Sequence, residues 1–106
     1  MKNIVITGAS SGIGLGLKEY YISRGDKVID ISRNGSDFKC DVSDRYSLSK
    51  VFDQIKSQID KIDILVCCAG FGLSGAIELI SEEKIRSEYD VNVLGTIFTI
   101  QLALPL

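Results

Sequence analysis

Residues 7–14 read "TGASSGIG", and this stretch decides the fold because its glycines fall between a strand-like run and a helical pattern. Residues 4–6 before it are β-branched, and apolar residues recur at helical spacing after it. In such a turn Gly8 permits the tight bend, Gly12 lets a phosphate approach the backbone, and Gly14 lets the helix pack closely. The helix N-terminus offers N–H groups and partial positive charge to a pyrophosphate. Further hydroxyl donors come from two serines, Ser10 and Ser11. The motif predicts a dinucleotide-binding loop.

Strand-like and helical stretches alternate through the rest of the 106 residues. Strands are predicted at residues 4–6, 28–31, 37–40 and 62–68, and helices at 13–24, 44–59 and 82–102. The first helix is marked by apolar residues at helical spacing, Ile13, Leu17 and Tyr20. Gly25 ends that helix, and Ser43 and Ser81 are the predicted N-caps of the later helices. The order β-α-β-β-α-β-α predicts an α/β fold with a parallel sheet and helices on both faces.

The link between the second and third predicted strands carries a conflicting signal. Asn34-Gly35 between strand-like residues is a strong hairpin signature and favours an antiparallel pair. A parallel pair usually needs a crossover of about a dozen residues, and only a few are available here. The third strand is therefore predicted to be short.

Four stretches together resemble the short-chain dehydrogenase/reductase family. The spacing Thr-Gly-x-x-x-Gly-x-Gly in residues 7–14 is similar to that family's cofactor loop. Asp41-Val42, "CCAG" at 67–70 and "VNVLG" at 91–95 resemble three later motifs of the family, in the same order. The resemblance covers residues 1–106. It implies a Rossmann-type parallel sheet in the order 3-2-1-4, and hence a partial NAD(P)-binding domain that is truncated before the fifth strand.

The resemblance assigns roles to individual residues. Asp41 and Val42 match the pair that reads the adenine ring, and Asp41 reaches that ring only if the third strand is parallel to the first. Asn92 matches a catalytic asparagine that helps to hold a water in the proton relay. The predicted cofactor-binding residues are Gly8, Ser10, Ser11, Gly12, Ile13, Gly14, Arg33, Asp41, Val42, Cys67, Ala69 and Gly70.

The end of the second strand indicates which nicotinamide cofactor is used. NAD-preferring folds place an acid there for the ribose 2′-OH, whereas a 2′-phosphate needs an arginine. Here Ser32 is followed by Arg33, which resembles the NADP-using members, while Asp30 lies too early to reach the ribose. The prediction is NADP, with NAD possible; the alternative for Arg33 is an ordinary solvated loop arginine.

The sequence departs from the family pattern at two further places. Cys67-Cys68 stands where the family has Asn-Asn, and thiols do not replace the amide hydrogen bonds that brace the central sheet. The family's catalytic Ser and Tyr-x-x-x-Lys follow the fifth strand, beyond the stretch matched here. "YSLSK" at 46–50 has the spacing, but Tyr46 and Lys50 fall on the solvent face of their helix, so no catalytic role is predicted.

These residues predict the front half of an NADP(H)-dependent oxidoreductase that acts on a carbonyl or a secondary alcohol. The 106-residue chain alone is predicted to be inactive. The alternatives left open are a non-catalytic NADP-binding module, a truncated remnant, and a piece of a longer protein.

Charge and residue composition limit the classes of partner that the protein is predicted to bind. The net charge of −2 and the absence of a basic run argue against nucleic acid and against an anionic membrane surface. The three cysteines and the absence of histidine show no metal-ligand spacing, so buried thiols, no metal and a cytoplasmic location are predicted. The apolar last helix and the fourth strand, left at an edge, predict a homo-oligomer.

Overall fold

The structure is a computed structural model that describes residues 1–35, 37–72 and 74–106. Ser36, and Leu73 within the predicted loop at 70–75, lie outside the described residues. The strands are β1 (Asn3–Thr7), β2 (Lys27–Ser32), β3 (Phe38–Lys39) and β4 (Ile64–Cys67). The helices are α1 (Gly12–Ser23), α2 (Arg45–Gln58), α3 (Glu82–Tyr89) and α4 (Thr96–Ala103). A short 3₁₀ helix, Ile77–Leu79, precedes α3, and a π-helical segment, Asp90–Gly95, joins α3 to α4.

All strand pairs are parallel, and the sheet order is β3-β2-β1-β4, which confirms the predicted topology. The hairpin signal at Asn34-Gly35 is therefore overridden, and β3 is short, as predicted. The turn closes on Ser32, whose carbonyl accepts hydrogen bonds from the N–H groups of Gly35 and Cys40. Asp37 also returns to β2, where its carboxylate accepts from the Asp30 N–H at 2.9 Å. These local bonds let β3 align with β2 without a crossover helix.

The core has one layer on each face of the sheet. On one face Val5 packs with α2 and α4, and on the other Ile4 and Ile6 pack with α1. The predicted stripe of α2 is buried as expected, at Leu48, Val51, Phe52, Ile55 and Ile59. On α1 the sheet-facing side is formed by Gly14, Leu17 and Tyr21, whereas Ile13 and Tyr20 are exposed.

The helix ends agree with the sequence at two places and differ at a third. Gly25 ends α1 at φ +84°, and Ser81 caps α3 by accepting from the Lys84 N–H at 3.2 Å. The predicted cap Ser43 is wrong by one residue, because Asp44 caps α2 by accepting from the Ser47 N–H at 3.2 Å. Ser43 is instead bonded to Asp41, which competes for its hydroxyl.

The prediction of buried thiols is confirmed for Cys40 and is wrong for Cys67, which is exposed at the end of the edge strand β4. Cys68 is half-buried.

The last helix is one continuous run of helical turns from α3 through α4, as predicted, apart from the π-helical segment. Its α4 part leaves Ile97, Ile100 and Leu104 exposed. In the described parts of the chain, none of the helices has both the length and the apolar character needed to span a bilayer.

Candidate functional site

A cavity of about 590 Å³ opens at the carboxyl ends of the strands, the edge at which open α/β sheets bind ligands. Its floor is the turn between β1 and α1, and its two sides are the segments that follow β2–β3 and β4. Every predicted cofactor-binding residue lines this cavity: Gly8, Ser10, Ser11, Gly12, Ile13, Gly14, Arg33, Asp41, Val42, Cys67, Ala69 and Gly70. Their contacts with a cofactor stay a prediction.

The three loop glycines meet three different steric demands. A Cβ on Gly14 would overlap the carbonyl oxygen of Gly8, so the close packing of α1 on the end of β1 requires that residue 14 has no side chain. A Cβ on Gly8 would lie 2.6 Å from the backbone N of Ala69, so this glycine also admits the β4 segment. Gly12 differs: its φ is +57°, and nothing lies within 4 Å of a Cβ placed on it. Gly12 is also one of the residues that line the cavity.

The N-terminus of α1 presents unused donors to the same space. The N-cap Ser11 makes no side-chain hydrogen bond to the first turn. Leu15 donates to the Ser11 carbonyl at 3.2 Å, so the N–H groups of Gly12, Ile13 and Gly14 precede the helical ladder. Free N–H groups and the helix dipole at this position suit a phosphate.

The end of β2 contributes a hydroxyl and a guanidinium. The side chain of Ser32 is buried, and its Oγ has no hydrogen-bond partner among the described residues. Arg33 is exposed on the cavity wall, and no carboxylate of the described residues forms an ion pair with it. Asp30 lies off the cavity, 1% exposed, with its Oδ2 3.5 Å from Nζ of Lys18. The acid that could have competed for a ribose is thus held inside the sheet.

The segment after β3 is held by a compact hydrogen-bonded turn. Asp41 Oδ1 accepts from the backbone N–H of Ser43 at 3.0 Å and from its hydroxyl at 2.8 Å. The Asp41 carbonyl accepts from the Asp44 N–H at 3.0 Å, which closes the turn. Beneath it Cys40 is buried, and this burial, with the carboxylates of Asp44 and Asp41, raises the pKa of the thiol to about 11. The thiol is therefore protonated at neutral pH.

The segment after β4 is braced from β1 by Thr7. The Cys68 N–H donates to the Thr7 carbonyl at 3.0 Å, and the Ala69 N–H donates to Thr7 Oγ1 at 3.4 Å. Thr7 is 1% exposed, so both bonds are inside the protein. The threonine thus holds the wall at the place where the chain has Cys67-Cys68.

Asn92, the predicted catalytic residue, lies behind the cavity wall in the π-helical segment. Its Oδ1 accepts from the Phe71 N–H at 2.8 Å, and its Nδ2 donates to the Phe71 carbonyl at 2.6 Å. The side-chain amide therefore pairs with one peptide group, and Phe71 itself lines the cavity. Short π-helical segments occur often at functional sites. A role for Asn92 in a proton relay stays a prediction.

Sequence reasoning missed some residues of the cavity and correctly predicted that Tyr46 and Lys50 face solvent. Tyr46 is 72% exposed, and Lys50 Nζ lies 4.9 Å from the centre of its ring, outside the cavity. The lining residues that were not predicted are Ser32, Asn34, Cys40, Cys68, Phe71 and Val91. Each of these is a direct neighbour in sequence of a residue that was predicted, and that adjacency was the available signal.

Comparison with known proteins gives a consistent result. The family model described as short chain dehydrogenase matches residues 2–106. A protein from Helicobacter pylori, named as a probable short-chain type dehydrogenase/reductase, is 37% identical over 96% of this chain and 42% of its own length. The ligand-free aldohexose dehydrogenase of Thermoplasma acidophilum superposes with a TM-score of 0.89, at 33% identity, over 98% of this chain and 43% of that one.

A short-chain dehydrogenase from Leptospira borgpetersenii, solved with bound NAD⁺, gives a TM-score of 0.89 at 27% identity, over 98% of this chain and 45% of that one. The chain thus spans less than half the length of these relatives.

Within the described residues, no cluster of three or more His, Cys, Asp or Glu side chains is placed to hold a metal ion.

Proposed function

The chain belongs to the short-chain dehydrogenase family, and on that premise we propose that it forms the dinucleotide-binding half of an NADP(H)-dependent oxidoreductase. The observation that carries the proposal is the cavity at the strand ends, because it is lined by Gly12, Ile13 and Gly14, whose N–H groups precede the hydrogen-bond ladder of α1. The bound nicotinamide would supply hydride exchange with a carbonyl or secondary alcohol. The name of the Thermoplasma relative, an aldohexose dehydrogenase, supports an alcohol substrate class.

Each wall of the cavity has a distinct task in this proposal. The N–H groups at the start of α1, with the hydroxyls of Ser10 and Ser11, bind the pyrophosphate. Asp41 and Val42, which follow β3, bind the adenine. The backbone of the segment from Cys67 through Ala69 to Gly70 faces the other ribose, because it follows β4 on the opposite side of the pyrophosphate.

The preference for NADP rests on the pair at the end of β2. Ser32 brings a buried hydroxyl without a partner among the described residues, and Arg33 brings a guanidinium without an ion pair among them. A phosphate at the ribose 2′ position would give the exposed guanidinium a charged partner, whereas a bare 2′-hydroxyl offers it no charge. NAD stays the alternative, and the Leptospira relative, solved with NAD⁺, is its support.

Catalysis by the whole protein is part of the same proposal. Asn92 would keep the Phe71 peptide in place and support a proton relay, while the family's Ser and Tyr-x-x-x-Lys would supply the acid and base. Tyr46 and Lys50 point away from the cavity and do not substitute for them. We therefore expect the 106-residue chain alone to bind dinucleotide without turnover.

A non-catalytic NADP-binding module is the second candidate. It is favoured by one feature of residues 1–106, which is that Cys67-Cys68 stands where the family has Asn-Asn. Both candidates bind NADPH, so turnover by the protein at its natural length distinguishes them.

Self-association is also proposed. Two surfaces are left uncovered: the outer edge of β4, and the apolar patch formed by Ile97 and Ile100 of α4 with Leu104 directly after it. A second copy of the chain would cover them, and so would further polypeptide of the kind that the longer relatives contain. A cytoplasmic enzyme with a small-molecule substrate is the setting we propose.

Titration of NADPH and NADH against the wild-type protein and Arg33→Ala tests the cofactor. A charge-assisted contact contributes roughly 1.5–3 kcal/mol, so NADPH should bind about 10–150-fold less tightly to the variant while NADH changes little. Arg86→Ala is the matched control, since it removes the same charge from a site outside the cavity, where Arg86 pairs with Glu82. Equal binding of the two cofactors by the wild type would refute the assignment of NADP.

A further inference from the structure

The π-helical segment Asp90–Gly95 contacts two walls of the cavity, the segment after β4 and the segment after β3. At one end Asn92 pairs with the peptide group of Phe71, which follows β4. At the other end Gly95 is buried against Val42, which follows β3. One helical segment is thus a neighbour of both walls, although β3 and β4 lie at opposite edges of the sheet.

The contact between Gly95 and Val42 leaves no room for a side chain. A Cβ on Gly95 would overlap Cγ2 of Val42 and lie 3.2 Å from its Cβ and 3.3 Å from its carbonyl carbon. Val42 is 4% exposed and belongs to the main core cluster, so it has little space into which to retreat. The segment that carries Val42 is a wall of the cavity, and Val91 of the π-helical segment also lines it.

Hydroxyl–carbonyl bonds within the helix stabilise the π-helical segment itself. Thr99 Oγ1 donates to the Gly95 carbonyl at 2.7 Å, and Thr96 Oγ1 donates to the Asn92 carbonyl at 3.1 Å. These hydroxyls bind carbonyl groups in and beside the π-helical segment, and Thr99 is 1% exposed. An added methyl group at position 95 is therefore expected to push the Asp41-Val42 wall and the π-helical segment apart, because neither side has free space at this contact.

We propose that Gly95 is a positioning residue for the adenine end of the dinucleotide, because its lack of a side chain lets the Asp41-Val42 wall seat against the π-helical segment. The inference rests on the proposed function, and it adds a residue outside the cavity that sets the affinity for one half of the ligand. Asn92 serves the other half through Phe71. Loss of the Gly95 contact should weaken binding of the adenosine part, and loss of the Asn92 pair should not.

The test uses two probes, NADPH and adenosine 2′,5′-bisphosphate, the second of which reports on the adenosine half alone. Gly95→Ala should weaken the binding of both probes by about tenfold, which is the size of effect expected when one extra methyl group is forced into a packed contact. Gly16→Ala is the control, because it also adds a methyl to a helix but meets nothing within 4 Å. Asn92→Ala should weaken the binding of NADPH and leave the binding of the bisphosphate unchanged. General destabilisation of the protein would weaken the binding of both probes.

A double variant identifies the route of the effect. In a Val42→Ala background the methyl groups nearest the new Cβ are gone, so Gly95→Ala should cost less than about threefold in bisphosphate affinity. This comparison stands even if Gly95→Ala alone fails to fold. A further tenfold loss in that background, or unchanged bisphosphate binding by a folded Gly95→Ala, would overturn the proposal. A wild-type protein that binds neither probe would instead refute the proposed function, and the inference with it.

Discussion

Gly12→Val is the sharpest test of the phosphate site, because the space beside Gly12 is empty in the protein and needed by the ligand. Nothing lies within 4 Å of a Cβ at this position, so the folded structure can accept the side chain. The valine side chain would then stand on a residue that lines the cavity, beside the N–H groups of α1 where the pyrophosphate is proposed to bind. Loss of two charge-assisted hydrogen bonds of roughly 1.5 kcal/mol each predicts NADPH binding at least about a hundredfold weaker.

The backbone at Gly12 adds a stability effect that must be separated from binding. A side chain at φ +57° costs about 1–2 kcal/mol, which lowers the thermal midpoint by about 4–16 °C in a domain of this size. Gly25→Val is the matched control, since Gly25 has φ +84°, also has nothing within 4 Å of a Cβ, and lies outside the cavity. It should show a similar loss of stability and normal NADPH binding.

Isothermal titration calorimetry with NADPH, on samples checked for folding by circular dichroism, measures the difference between the two variants. Should folded Gly12→Val bind NADPH as tightly as Gly25→Val, the glycine loop would be a turn with no part in phosphate binding, and the proposed site would be wrong.

The remaining predictions concern the tyrosine–lysine pair, the buried thiol and self-association. Tyr46→Phe should leave NADPH affinity unchanged, and the 106-residue chain should reduce no carbonyl substrate before or after that change; turnover that disappears with Tyr46→Phe would contradict this. Because burial, then Asp44 and Asp41, raise the pKa of Cys40 from 9.0 to about 11, the folded state keeps a proton that the unfolded state loses. The free energy of unfolding, measured in urea, should therefore contain the full contribution of this thiol below pH 9 and should lose it between about pH 9 and 11. The loss should be smaller in Cys40→Ala. Equal slopes of the unfolding free energy against pH in the two proteins would refute this prediction. Light scattering on a sample of verified intact mass should show a dimer or larger species, and a stable monomer at tens of micromolar would count against the exposed β4 edge and α4 as a docking surface.

The sequence was most informative where spacing alone fixes geometry. The glycines at 8, 12 and 14 predicted a strand, a turn and a helix, and these elements place the floor of the cavity. The apolar stripe of α2 likewise predicted which side of that helix is buried. In both cases the relevant contacts are local, so the periodicity of one element is sufficient.

Contacts between distant segments were not predictable from the same patterns. The pairing of Asn92 with Phe71 depends on a π-helical register that no residue type specifies, and the fit of Gly95 against Val42 depends on how two elements cross. The cap of α2 was misassigned because Ser43 and Asp44 are both good cap residues, and only the competing bond to Asp41 decides between them. Cys67 was expected to be buried because it lies in the continuous apolar run at residues 62–68, which is typical of a strand covered on both faces.

The order of strands in the sheet has a consequence for how the cavity forms during folding. β1 and β2 come together across a short stretch, as the bond between Lys2 and Asp26 spans 24 residues, whereas Asn3 and Asp63, beside β4, are 60 residues apart. Closing the longer loop costs only about 0.8 kcal/mol more in chain entropy, but distant pairings form slowly. The wall at Ala69 arrives with β4, and Thr7 can brace it only after that step. Competence to bind a dinucleotide should therefore appear with the last strand to dock, and not with the glycine loop that forms early beside it.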